Sequence, residues 1–349
     1  MIHSFKKILF CSGLLLLAGC APQVAEKPVD LVWPNPPETP RIRYLRSLSK
    51  TTEFGSSTSG LVQSLFGDDF GGIMAKPYGI ATDSEGKVYV SDTGLNMVWV
   101  FDEKNKKVSF LGTSGQGTLK TPIGIAVDAR DIVFVSDVTL QRVYGFDRKG
   151  ELVVAIGDKG ELPRPSGLAI DSKSNRLYVA DSKLHTIRVY DCVSGKFIKE
   201  IGKRGVEEGE FNIPTNLFIR NGKLYVTDTG NFRIQVFNLD GNFLTKIGKI
   251  GDAPGMVARP KGVAVDSEDH VYVVDAAFDN FQIFSDQGEI LLFVGEAGRT
   301  PGKFWLPAGV HIDDEDRIYV ADSYNRRVQV FQYLGEKHRA KLTAPATKP

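Results

Sequence analysis

Six aspartates return at one point of a repeating phrase: Asp92, Asp137, Asp181, Asp228, Asp275 and Asp322 each end a short apolar run such as Val88-Tyr-Val-Ser-Asp92. Six carboxylates at equivalent positions invite a metal reading, because hard cations take oxygen ligands. The same residue type at the end of a strand also accepts backbone N–H groups of the turn that follows. Arg142, Arg233 and Arg327 stand five residues further on as possible partners. A residue used once per repeat serves to build the repeat, so the structural role is the expected one and no metal is assigned. Beyond residue 19 the histidines are His185, His270, His311 and His338, in unrelated positions, which argues against a three-histidine centre. His311 lies on an apolar run and reads as a core histidine. No His-Glu-x-x-His helix, Gly-rich phosphate loop or Ser-His-Asp grouping is present. Cys192, in Tyr190-Asp-Cys-Val-Ser-Gly195, follows a strand with no base close in sequence. No catalytic residue and no cofactor are expected.

The elements that carry these residues repeat six times. Pro77, Pro122, Pro165, Pro214, Pro260 and Pro307 open the units, 43 to 49 residues apart. A fixed period of that size signals a solenoid or a propeller. Each unit holds four short β runs; in the fourth they are 217–220, 224–228, 233–238 and 243–247. Asn221-Gly222, Thr229-Gly230-Asn231 and Asp240-Gly241 separate them, and Asn-Gly between apolar runs is a strong hairpin signal. Four antiparallel strands per unit of about 45 residues make a propeller blade.

The phrase Pro-x-Gly-[Ile/Leu/Val]-Ala-[Val/Ile]-Asp, then Tyr-Val-x-Asp, then Asn-x-Arg-[Val/Ile]-Gln-Val-Phe resembles the NHL repeat. The fullest copies are Thr227-Asp-Thr-Gly-Asn-Phe-Arg-Ile-Gln-Val-Phe237 and Ala321-Asp-Ser-Tyr-Asn-Arg-Arg-Val-Gln-Val-Phe331. The resemblance runs over residues 77–332 and implies an all-β, six-bladed β-propeller of four-stranded antiparallel blades, used as a binding platform. Three departures stand out: Phe218-Ile219-Arg220 where Ala-Val-Asp is expected, Ala276-Ala277-Phe278-Asp279 in place of Thr-Gly-Asn, and His311 at an Ala position. Blade six stops after its third strand, while residues 41–48 form an orphan strand upstream of blade one. An open edge invites aggregation, so the N-terminal strand is expected to close the last blade. Gly60–Phe66 reads as a short helix from the spacing of Leu61, Val62, Leu65 and Phe66.

Lys6 and Lys7 precede an apolar run over residues 8–18, too short to span a bilayer but suited to a secretory signal. Leu17-Ala18-Gly19-Cys20 resembles a bacterial lipobox, which implies cleavage before Cys20 and a lipid on its thiol. Residues 1–19 are then a signal peptide, 20–40 a Pro-rich tether, 41–335 the propeller and 336–349 a polar C-terminal tail. Ala21 after the cysteine points to the outer membrane of the envelope. The full chain balances 43 Lys+Arg against 42 Asp+Glu. That balance, with export, argues against nucleic acid as the partner, because phosphate binding needs a clustered basic excess. Three Cys rule out a disulfide scaffold.

Function is expected where the repeats disagree. One variable column follows the proline: Tyr78, Ile123, Ser166, Thr215, Lys261 and Ala308. It lies at the axis and holds no Asp, Glu or His, unlike the metal sites of propeller lactonases and lyases. The other column lies between the second and third strands: Asn96, Gln141, His185, Phe232, Asp279 and Arg326. Both belong to the face that carries the inter-blade loops, where Trp305 also sits. Tyr78, Gln141, His185, Phe232, Lys261, Trp305 and Arg326 are the partner-binding candidates. The expected function is a non-catalytic binding or scaffold propeller at the cell envelope, taking a protein or glycan. The alternative is a metal-dependent hydrolase or lyase on the same fold.

Overall fold

The computed structural model describes residues 30–54, 72–158 and 160–343. The signal segment, Cys20, the start of the proline-rich stretch, the helix expected at Gly60–Phe66 and the last six residues lie outside that range.

A two-residue strand β1 (Val32–Trp33) precedes β2 (Ile42–Leu48). Blade one is β3–β6 (Pro77–Thr82, Val88–Asp92, Met97–Asp102, Lys107–Leu111). Blade two is β7–β10 (Pro122–Val127, Val133–Asp137, Arg142–Phe146, Leu152–Ile156). Blade three is β11–β14 (Pro165–Asp171, Arg176–Asp181, Thr186–Asp191, Phe197–Ile201). Blade four is β15–β18 (Pro214–Arg220, Lys223–Asp228, Arg233–Asn238, Phe243–Ile247). Blade five is β19–β22 (Pro260–Val265, Val271–Asp275, Asn280–Phe284, Ile290–Val294). Blade six has β23–β25 (Pro307–Ile312, Arg317–Asp322, Arg327–Tyr333), and β2 supplies its fourth strand. The helix α1 (Glu336–Thr343) follows.

The sequence expectation of six antiparallel blades closed by an N-terminal strand therefore holds. β2 runs antiparallel to β25 from Ile42↔Tyr333 to Leu48↔Val328. Ile42 and Leu48 are both fully buried, so this strand plugs the core as well as the edge. β1 adds a fifth strand, pairing Trp33 with Ile42. Trp33 meets Phe331 edge-on, with ring centroids 5.8 Å apart. Residues from Asp30 onward, within the stretch that composition assigns to a tether, thus lie against blade six.

The first strand of every blade lines the axis. In all six, the register with the second strand breaks just after the proline. At that break the inner backbones come very close. A Cβ on Gly124 would sit 2.0 Å from the Ser166 carbonyl oxygen, and one on Gly309 would sit 2.2 Å from that of Tyr78. Only glycine allows such an approach. Hydroxyls then staple the blades together. Ser91 Oγ donates to Ile123 O at 2.6 Å, Ser136 Oγ to Ser166 O at 2.6 Å, and Ser323 Oγ to Pro77 O at 2.6 Å, the last joining blade six to blade one.

Apolar side chains alternate along the strands, so each sheet faces both of its neighbours. The core is accordingly a ring of inter-blade clusters rather than one centre. Ala81, Tyr89 and Val98 of blade one pack with Ile125, Val135 and Phe146 of blade two. Ile42 of β2 joins blade five's Phe281 and blade six's Phe331 in the cluster at the closure.

Candidate functional site

Inner strands run away from the proline, so the molecule has two unlike faces. The loop face carries the segments between blades and the turns between second and third strands. The hairpin face carries the remaining turns.

The six repeated aspartates sit at the loop face but are fully buried. Each carboxylate ties the segment arriving from the previous blade to its own turn. Asp92 accepts the N–H groups of Ala75 and Lys76 on one side and of Gly94 and Leu95 on the other. Asp228 accepts Asn212 N–H, Asn231 Nδ2, Arg233 Nε and Gln235 Nε2. Asp322 repeats that set with Trp305, Asn325, Arg327 and Gln329. Burial pushes the Asp322 carboxyl above its ordinary range, against the pull of these donors. Their oxygens are occupied by protein donors. Among the described residues no group of three or more His, Cys, Asp or Glu is arranged to hold a metal.

The variable column between second and third strands has one backbone conformation. Asn96, Gln141, His185, Phe232, Asp279 and Arg326 all lie at φ between 50° and 61°. The tight turn demands a left-handed residue there, and each blade meets that demand with a different side chain. His185 Nδ1 accepts the Ile213 N–H at 3.1 Å, and Arg326 Nε donates to Met74 O at 2.8 Å. Both therefore hold incoming inter-blade segments. Phe232 is half-buried and leans on the cluster between blades four and five. Gln141 is half-buried at its turn.

Tyr78 and Lys261 lie at the axis. Burial raises the Tyr78 phenol, against a lowering influence from Asn216 of the opposite blade. Burial, with Arg259 and Lys76 nearby, lowers the Lys261 ammonium. Arg164 adds its field at Tyr78. The residue before the proline is Lys76, Arg164 and Arg259 in blades one, three and five, which forms an exposed basic rim around the axis.

Trp305 stays 39% exposed and leans on Tyr324, itself 48% exposed, with centroids 5.5 Å apart. The Arg299 guanidinium covers the Trp305 ring at 4.8 Å, and Lys76 Nζ lies 5.8 Å from the Tyr324 ring. This strip of two aromatics between two cations was only partly legible in the sequence. Tyr324 and Arg299 have no repeat signal, and they reach Trp305 only through the fold. Leu184, Ile213 and Ile250 expose further apolar surface on the same face. Among the described residues Lys76, Arg164, Arg259, Lys261 and Arg299 form no ion pair with a carboxylate.

The remaining reactive groups are dispersed. The Cys192 thiol is buried, and burial pushes it up, away from thiolate character. His270 Nδ1 meets Asp266 Oδ2 at 2.9 Å, and that bond raises the imidazole. His338 lies on α1. His311, the histidine at an Ala position, is held by Thr82 Oγ1 at 2.9 Å, and burial lowers it to about 4. A group kept neutral in this way contributes stability above its ordinary pKa of about 6.5 and loses it as pH falls toward its folded value. His270 acts in the opposite sense, weakening as pH rises. Urea unfolding of the parent and of His311→Ala should therefore diverge below pH 6.5, with the parent losing up to about 3 kcal/mol more by pH 4. Parallel pH profiles would refute an imidazole kept neutral by the fold.

A family model described as a 6-bladed beta-propeller matches residues 204–281, and the NHL repeat model matches 162–190 and 304–331. The chain carries NHL repeats within a six-bladed β-propeller. Similarity to other NHL proteins is partial. The protein brain tumor of Drosophila melanogaster is 29% identical over 116 residues, 32% of this chain and 10% of that protein. NHL repeat-containing protein 2 of Bos taurus is 34% identical over 117 residues, 29% of this chain and 16% of that protein. The chain thus spans a small fraction of these relatives' lengths. Among solved structures, a streptogramin B lyase aligns at TM-score 0.56 and 11% identity, over 74% of this chain and 94% of that one. An auxiliary nutrient binding protein from Bacteroides thetaiotaomicron aligns at TM-score 0.60 and 14% identity, over 74% and 69%. These alignments concern the NHL propeller's fold alone.

Proposed function

We propose that this NHL propeller is a non-catalytic binding platform of a bacterial cell envelope. It is exported, lipidated at Cys20 and held at the outer membrane. Its loop face binds a protein or glycan partner, and an acidic protein suits that face best. The observation that carries this reading is the strip Arg299–Trp305–Tyr324–Lys76 beside the basic rim. Exposed aromatics next to cations that meet no carboxylate among the described residues favour a partner with apolar and carboxylate groups. Tyr78, Gln141, His185, Phe232, Lys261 and Arg326 border the same surface. His185, Phe232 and Arg326 also hold the turns, so Trp305 and Tyr324 are the cleaner probes.

The test uses a photo-crosslinking residue at Tyr324 in intact cells, with Asp240 on the hairpin face as control. Adducts at 324 and none at 240 are expected. With the crosslinked partner purified, Trp305→Ala and Tyr324→Ala should each weaken binding by about 30-fold, the effect of losing ~2 kcal/mol at an aromatic anchor. Equal adducts at both positions, or unchanged affinity, would remove the loop face from the proposal. The anchor has its own test. Cys20→Ser should leave the protein uncleaved or released from membranes, and unchanged mass and fractionation would sink the lipoprotein reading.

A further inference from the structure

The innermost strand of blade four breaks the repeat three times. Two, four and six residues after the proline, β3 carries Gly79, Ala81 and Asp83, and the other blades follow it closely. β15 carries Asn216, Phe218 and Arg220 at those positions. The only other departure in the three columns is His311 of β23. None of the four substitutions is needed to build a blade. The aspartate six residues on normally braces the next hairpin: Asp83 accepts the N–H groups of Glu85 and Lys87. In blade four the hairpin is Asn221-Gly222, with φ of 50° and 73°. Such a turn forms without a side-chain acceptor, which releases position 220 from that duty.

All four side chains meet in one cavity. It has a volume of about 730 Å³, runs along the axis and opens on the hairpin face among Ser84–Gly86 and Asp314–Glu315. Asn216 lines its inner end, and its Nδ2 donates to Lys261 O at 2.9 Å. Phe218 of blade four reaches His311 of blade six, with ring centroids 6.1 Å apart. Arg220 stands nearer the mouth, its guanidinium 6.0 Å from the Phe218 ring. Its Nη2 donates weakly to Asp313 O at 3.4 Å, and Nη1 lies 3.7 Å from the Asp314 carboxylate, whose side chain is almost fully exposed. An ion pair with so exposed a partner is worth little and yields readily to a ligand. The carboxylate of Asp313 itself is taken by Glu315 N–H, Arg317 and Tyr319.

We propose that this axial cavity binds a small organic anion with a flat, aromatic or unsaturated body. The body lies against Phe218 and the apolar inner strands, and the carboxylate or equivalent group reaches Arg220. The volume falls within the range of small-molecule sites. The site lies on the face opposite the aromatic strip, so it stands or falls independently of the loop-face reading.

The probe is 2-naphthoate, titrated calorimetrically into the full chain and compared with the neutral 2-naphthalenemethanol. One site per chain is expected, with the alcohol at least about tenfold weaker, equivalent to ~1.4 kcal/mol. Phe218→Ala restores the residue that four other blades carry, so the fold should survive. Arg220→Gln keeps the length and removes the charge. Each should weaken naphthoate by about tenfold or more, while Trp305→Ala changes nothing. No binding at millimolar naphthoate, equal binding of the alcohol, retention in either cavity variant, or loss in Trp305→Ala would each overturn the proposal.

Discussion

A chain lacking residues 41–49 is expected to melt at least ~10 °C below the parent and to aggregate as it does so. The deletion removes β2, which fills the outer edge of blade six. Ile42 and Leu48 are completely buried between blades, and Tyr44 packs edge-on against Phe331 at 5.6 Å. Truncating one such aliphatic side chain costs about 2–5 kcal/mol, and the deletion takes two together with their ladder. It also strands β1, whose strand partner among the described residues is β2, and so strips Trp33 from the core. The exposed edge of β25 would then offer a full row of unpaired backbone groups to another molecule. Differential scanning calorimetry with light scattering is the measurement. A deletion variant that melts at the parent temperature would show that the ring is closed by other contacts.

The second large effect is expected at a repeated aspartate. Asp228→Ala should destabilise by about 3–5 kcal/mol, because it leaves the Arg233 guanidinium buried without its anion. Asp228 is fully buried and the Arg233 side chain only 9% exposed, with Nε and Oδ2 2.9 Å apart. Gln235 and Asn231 would lose their acceptor at the same time. Asp228→Asn, which keeps an oxygen but not the charge, should fall between the two. Urea unfolding reads the difference, and Trp305→Ala serves as the surface control, expected within about 1 kcal/mol of the parent. An Asp228→Ala protein of parental stability that has lost an activity kept by the aromatic variants would return the aspartates to catalytic or metal roles.

The blade count, the strand register and the closing strand were legible because they repeat or because a repeat was visibly incomplete. Pro214 faces Asp228 for the same reason that Pro77 faces Asp92. The site was harder to read. The column from Asn96 to Arg326 varies in side chain, yet its common property is a backbone angle, and no side-chain pattern spells out a left-handed turn when Phe and Arg occupy it. Tyr324 meets Trp305, and Phe218 meets His311, through ring geometry that joins residues far apart in sequence. The departures at 218–220 and at 311 were visible as irregularities. Their convergence required knowing that the inner strands of blades four and six face one cavity at the axis. Trp33 posed the same difficulty: its composition suits a tether, and its partner Phe331 lies almost three hundred residues away.

The closure by β2 also decides how the molecule responds to force. Any pull applied ahead of Val32 is delivered first to the two-residue ladder of β1 and then to β2, the outermost strand of the blade that locks the ring. β1 can peel without harm to the propeller, since it contributes two paired positions. β2 cannot, because its seven residues hold Ile42 and Leu48 in the core. The protein therefore has a short sacrificial link in series with a strong one. Under rising tension it should yield in two steps, a small extension that spares the loop face and a larger one that opens the circle.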